Sequence, residues 1–135
     1  MLTKWRNADL GILLVRLALA VVFIAHGWDK FQNISAVVGF FGGLGFPAFL
    51  AYLVAAVELL GGLAMLLGVL VEWAGALIAI VMLVAIWSVK FKMGFLGGYE
   101  LDFALLLAAL SVFFSGAGRY TIRHFMGKSD SGMQM

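Results

Sequence analysis

Cysteine is absent from the 135-residue chain, which excludes disulfides, thiolate catalysis and Cys-ligated zinc or iron–sulfur clusters. Charge is scarce. Only 12% of residues are charged, against about 25% in soluble domains. Proline occurs once, at Pro47. Period-two alternation of polar and apolar residues is missing, so a membrane barrel is excluded. No strand precedes a glycine-rich loop, which argues against nucleotide binding by the chain itself. The formal net charge is +2, with basic residues gathered near the termini. That pattern suits anionic lipid headgroups better than nucleic acid.

What fills the chain is apolar. Hydrophobic residues make up 64% and mean hydropathy is +1.10. A soluble protein of this size could not hide so much apolar surface, so the sequence reads as an integral membrane protein forming one membrane domain over 1–135. Four segments approach the ~20 residues needed to cross the hydrocarbon core. They cover about 8–30, 47–70, 73–89 and 101–114, with a cytoplasmic tail over 117–135. Lipid cannot satisfy bare backbone groups, so the segments must be helices. The fold class is all-α: a transmembrane four-helix bundle with a short interfacial segment between the first two helices. Pro47 fits the first turn of the second helix. Asn33 or Ser35 could cap the interfacial segment. The N-terminus imitates a signal peptide, but Arg16 interrupts its apolar run, and the run continues through Val21, Val22, Phe23 and Ile24. An uncleaved first span is expected.

Four spans place both termini on one side. That side carries Lys4, Arg6, Arg119, Arg123 and Lys128, against Lys30, Lys90 and Lys92 on the other. The positive-inside rule favours cytoplasmic termini in a bacterial or archaeal inner membrane.

Arg16 and Glu58 lie inside apolar spans. A charge at such depth costs at least ~2.5–3.5 kcal/mol even on insertion scales and is usually paired. Counting ~1.5 Å per residue from the two span ends brings them to similar depths. A buried Arg16–Glu58 pair is therefore expected, either as a functional site or as a lock between helices one and two. Ala51, Ala55, Glu58, Gly62 and Met65 share one face of helix two. Glu100, Ala104, Ala108, Ser111 and Ser115 form a similar small-residue stripe on helix four. Small residues let membrane helices approach closely.

A second polar group gathers at the outer end: His26, Asp29 and Lys30 from helix one, Lys90 and Lys92 after helix three, and Glu100 and Asp102 entering helix four. Trp28, Trp87, Tyr99 and the lysines also fit an ordinary aromatic belt with snorkelling anchors. Metal or haem ligation is not expected. No Glu-x-x-His spacing occurs, and the second histidine, His124, lies in the tail. The candidate ligand- or proton-binding residues are Arg16, His26, Lys30, Glu58, Glu100 and Asp102. A pocket is expected between Glu58 and the outer surface, lined by Gly62 and roofed by Phe40, Phe41 and Phe46.

Three stretches carry a family resemblance. The first is Leu13-Leu14-Val15-Arg16-Leu17-Ala18-Leu19 with Phe23-Ile24-Ala25-His26-Gly27-Trp28-Asp29-Lys30. The second is Leu44-Gly45-Phe46-Pro47 with Val57-Glu58-Leu59-Leu60-Gly61-Gly62 and Gly68. The third is Ser115-Gly116-Ala117-Gly118-Arg119-Tyr120. In order and spacing the chain resembles the DoxX family of small four-helix membrane proteins. The resemblance implies association with membrane redox complexes, such as a thiosulfate:quinone oxidoreductase, or with resistance to quinones and catechols. Ala117 stands where the family often has proline, and Thr121-Ile122-Arg123 replaces a serine–hydrophobe–aspartate run. Those departures touch a shared partner site rather than the bundle core.

Three functions follow. The chain could be a quinone- or aromatic-binding subunit of a membrane oxidoreductase, with the redox chemistry on a protein partner. It could be a small-solute transporter. It could be a non-catalytic anchor for a soluble partner. A homo-oligomer is compatible with each.

Overall fold

The computed structural model describes residues 2–127. Lys128 and the rest of the expected tail lie outside the described residues. A turn of 3-10 helix, Leu2–Trp5, precedes α1 (Ala8–Gln32). Asn7 caps α1, its side-chain oxygen accepting from the Leu10 N–H at 3.0 Å. A short helix α2 (Ile34–Gly43) leads to α3 (Ala48–Leu67), with Pro47 at the N-cap rather than in the first turn. Gly68, at φ 74°, ends α3 in the left-handed conformation that glycine adopts without strain. Next comes α4 (Val71–Ala85), prolonged by a π-helical turn, Ile86–Lys90, and a 3-10 turn, Phe91–Met93. A reversal at Gly94 leads through Phe95–Tyr99 into α5 (Glu100–Ser115). A single-turn helix, α6 (Ile122–Met126), follows.

Among the described residues, four helical stretches are long and apolar enough to cross a membrane: Ala8–Gln32, Ala48–Leu67, Val71–Met93 and Phe95–Ser115. The third and fourth run past their expected limits. The third is prolonged by the turns Ile86–Lys90 and Phe91–Met93, and the fourth is preceded by Phe95–Tyr99, in which Leu96 and Gly97 leave helical geometry at a kink. The start of α1 and the segment after α5 meet at one end of the bundle, the proximal end, and the opposite end is the distal end.

α1 packs on α3, α3 on α4, α4 on α5, and α5 returns to α1. The tightest approach is between α1 and α3. A methyl group added to Gly27 would stand 2.5 Å from the Leu59 backbone nitrogen, and one added to Gly62 would stand 2.8 Å from the Ile24 nitrogen. These contacts set an antiparallel register in which Gly27 faces Leu59 and Gly62 faces Ile24. Gly27→Ala should therefore push the helices apart and lower the thermal midpoint in detergent. Overpacking of this kind typically costs ~1–3 kcal/mol. Gly11→Ala, with nothing within 4 Å, should leave the midpoint unchanged or raise it.

On α3 the buried face is Ala51, Ala55, Glu58, Gly61, Gly62 and Met65. On α5 the small-residue stripe is not the buried face. Asp102, Leu106, Ala109 and Val112 point inward, and Ala104, Ser111 and Ser115 are exposed. The residue that permits close packing here is on the partner helix. A methyl on Gly75 of α4 would meet the Ala109 carbonyl oxygen at 2.8 Å.

The link between α1 and α3 folds over the distal end. Asn33 ends α1 and precedes α2, but its side-chain amide donates backward to the Asp29 carbonyl at 3.0 Å. It therefore leaves the α2 N-terminus without a side-chain cap. Phe41 packs edge-on against Phe46, with ring centroids 6.0 Å apart, and tilts against Phe40 at 6.3 Å. No residue of α2 is buried, so this helix lies on the bundle rather than in it.

Candidate functional site

The two buried charges of α1 and α3 do not meet. Arg16 is 1% exposed and donates only to backbone carbonyls. Nε reaches Met65 at 2.9 Å, Nη2 reaches Leu66 at 3.2 Å, and Nη1 reaches Ala117 at 3.0 Å and also Tyr120. Met65 and Leu66 close the last turn of α3, whose carbonyls have no partner within their own helix. The negative end of the helix dipole favours a cation there. Arg16 thus clamps the end of α3 and the glycine-rich segment after α5. Two further bonds hold that segment to α1: the Arg119 N–H donates to Asp9 at 3.1 Å, and Asn7 donates to the Tyr120 hydroxyl at 3.4 Å.

The expected Arg16–Glu58 pair fails on register. With Gly27 opposite Leu59, Glu58 falls level with residue 28 of α1. That is twelve residues from Arg16, or ~18 Å along the axis. A helical side chain also leans toward its own N-terminus. In antiparallel neighbours Arg16 and Glu58 lean apart, whereas Glu58 and Lys30 lean together. The partner of Glu58 is accordingly Lys30, with Nζ 2.6 Å from Oε1. Glu58 is 3% exposed. The ammonium is in direct contact with the carboxylate, a close ion pair whose cation is itself partly buried.

A second ion pair joins the other two helices. Lys90, the last residue of the π-helical turn, donates to Asp102 of α5 at 3.1 Å. Asp102 is buried and Lys90 partly exposed. Such wide turns inside helices recur at functional sites.

Between the two pairs lies a cavity of about 580 Å³. Its walls are apolar, from Phe23, Val57, Leu77, Val81 and Leu105 among others, and Phe40, Phe41 and Phe46 close its distal side. The polar lining is His26, Lys30, Glu58, Ser88, Lys90 and Asp102. Cavities of roughly 300–1,000 Å³ with apolar walls and a few convergent polar groups are typical of small-molecule sites.

Three of the sequence candidates stand outside this cavity. Arg16 is occupied at the proximal end. Gly62 is pressed against α1 and lines nothing. Glu100 is exposed and accepts from the Gly97 N–H at 3.1 Å, so it braces the turn before α5. The sequence placed Lys90 in the outer polar group, but neither it nor Ser88 stood among the candidate binding residues. Lys90 looked like a surface anchor, and only its placement a short glycine-containing turn before Asp102 hinted at a pair.

The DoxX family model matches residues 11–91. A Bacillus subtilis (strain 168) protein named "Putative oxidoreductase CatD" is 35% identical over 123 residues, covering 91% of this chain and 92% of its own. The Escherichia coli (strain K12) protein named "Inner membrane protein YqjF" is 36% identical over 62 residues, covering 46% of this chain and 48% of its own. No solved structure gives a significant match.

Proposed function

The chain belongs to the DoxX family of membrane proteins, and from that premise we propose that it is a membrane subunit holding a quinone or similar hydrophobic aromatic for a redox partner. The observation that carries this reading is the cavity of about 580 Å³ with a buried carboxylate, Glu58, in its wall. The relative named as an oxidoreductase, aligned over nearly the whole chain, supports the redox context. The chain itself has no cysteine for an iron–sulfur cluster or a reactive thiol, so the proposal assigns the electron carriers to a protein partner. The termini are proposed to face the cytoplasm, in line with the excess of basic residues at the proximal end.

A quinone supplies two-electron chemistry coupled to proton uptake and release. The residues of this chain would orient it and handle its protons. Glu58 would accept a proton from a ring oxygen by ordinary acid–base exchange. Lys30 would stabilise the carboxylate between exchanges. Phe40, Phe41 and Phe46 would exclude water from the ring. Asp102 and Lys90 would fix the far end of the site. Because α2 lies on the bundle surface, a lipid-soluble ring could enter sideways beneath it.

Photo-crosslinking tests the placement. A quinone analogue should label the segment 33–46 and the distal half of α1, with an excess of unlabelled quinone suppressing the reaction. Labelling confined to the proximal end would overturn the assignment.

A further inference from the structure

Glu58 is buried, but it is not central. Its register with residue 28 of α1 puts it four residues, or ~6 Å, from the distal end of that helix. Its distance from the proximal end is twenty residues, or ~30 Å. On the distal side the carboxylate touches the Lys30 ammonium at 2.6 Å, and Lys30 is partly exposed. On the proximal side the way is apolar. Phe23 and Met82 line the cavity, and Leu19, Ile78, Leu106 and Val112 join them in one continuous buried core. Among the described residues the buried polar or charged side chains are Arg16, Glu58 and Asp102, and of these Arg16 alone lies on the proximal side of the cavity. Arg16 cannot relay a proton. Its nitrogens already serve four carbonyls, and an arginine does not release its proton in a protein.

A proton crossing that core would pass several layers of apolar side chains with no polar side chain to hold it, and an unpaired charge in such surroundings is very costly. We infer that Glu58 exchanges protons with the distal side alone, past Lys30, and that the cavity is a blind pocket rather than a path through the bundle. The inference rests on the reading of Glu58 as a proton-exchanging group and adds the side on which its protons enter and leave. It does not depend on which ring the cavity holds. The ionisable groups that share the cavity with Glu58 are Lys30 and His26 from α1, Lys90 from the turn after α4 and Asp102 from α5, while the lining residues of α2 carry no charge. Of these, Lys30 is the one in contact with the carboxylate. A blind end also leaves no route for a transported solute.

The test is chemical modification of the full-length protein in sealed lipid vesicles. The probe is dicyclohexylcarbodiimide, a lipid-soluble reagent that modifies a carboxyl group in its protonated form. It can reach the cavity from the bilayer, because the lining residues Leu53, Ile80 and Val84 are also exposed on the outside of the bundle. An affinity tag ahead of α1, whose first residues lie at the proximal end, sorts the vesicles by orientation. The two faces are then buffered independently, and modification of the peptide carrying Glu58 is quantified by mass spectrometry within the lifetime of the pH gradient. Acidifying the distal face should raise the modification several-fold. Acidifying the proximal face alone should leave it unchanged. Any clear response to the proximal face would overturn the inference. So would modification that ignores the pH of both faces. That last result would also remove the proton role of Glu58, and it would leave the placement of the ring to the crosslinking measurement.

Discussion

Arg16→Met is expected to unfold or severely destabilise the protein. The guanidinium serves four carbonyls on two segments, those of Met65, Leu66, Ala117 and Tyr120. Hydrogen bonds to a charged group contribute about 1.5–3 kcal/mol each, and unpaired buried carbonyls add to the loss. Even with strong non-additivity the cost should exceed ~3 kcal/mol. Arg16→Lys should recover little. One ammonium cannot reproduce the planar fork that reaches the end of α3 and the segment after α5 together. Thermal unfolding in detergent, read by near-UV circular dichroism, measures the effect. Arg16→Met and Glu58→Gln should combine additively, because ~18 Å and no shared partner separate the two residues. A coupling above about 0.5 kcal/mol in that cycle would contradict the register described above.

Lys30→Met is the second large effect. It leaves the Glu58 carboxylate buried with no counter-charge. Breaking a buried pair from one side typically costs ~3–5 kcal/mol. The double variant Lys30→Met/Glu58→Met removes both charges and should regain most of that loss. Buried pairs replaced by apolar residues are often neutral. The same unfolding measurement applied to the single and double variants gives the coupling. A double variant as unstable as the sum of the singles would mean that the two side chains do not interact.

The architecture was largely legible in the sequence, because each span announces itself by hydropathy and Pro47 marks where the second begins. The inward face of α3 was legible too, since Glu58 on a stripe of alanine and glycine has few other places to go. The partners of the charges were not. Pairing across helices depends on register, and register here is set by Gly27 and Gly62. In the sequence Gly27 looks no different from Gly11 or Gly39, where an added methyl would meet open space, and the face that carries Gly62 does not say which residue of α1 lies opposite. The face of α5 was misread for a related reason. The small residue that admits close packing, Gly75, lies on α4, where it meets the α5 backbone at Ala109 and Phe113. Around the cavity, His26, Lys30, Glu58 and Asp102 stand out as polar residues in or beside apolar runs. Ser88 and Lys90 do not, because a polar residue near a span end needs no special explanation.

The Arg16 clamp also imposes an order on biogenesis. Ala117 and Tyr120 lie 101 and 104 residues after the arginine they satisfy. While the ribosome is still making α3 and α4, α1 carries a guanidinium whose final acceptors do not yet exist. The early intermediate therefore has reason to keep α1 near the translocon or at the interface, where water can serve that charge. The full set of acceptors is complete only when the segment after α5 has been synthesised. A translation product that stopped at Ser115 would have every span and still lack the fastening, leaving it a natural target for membrane proteolysis.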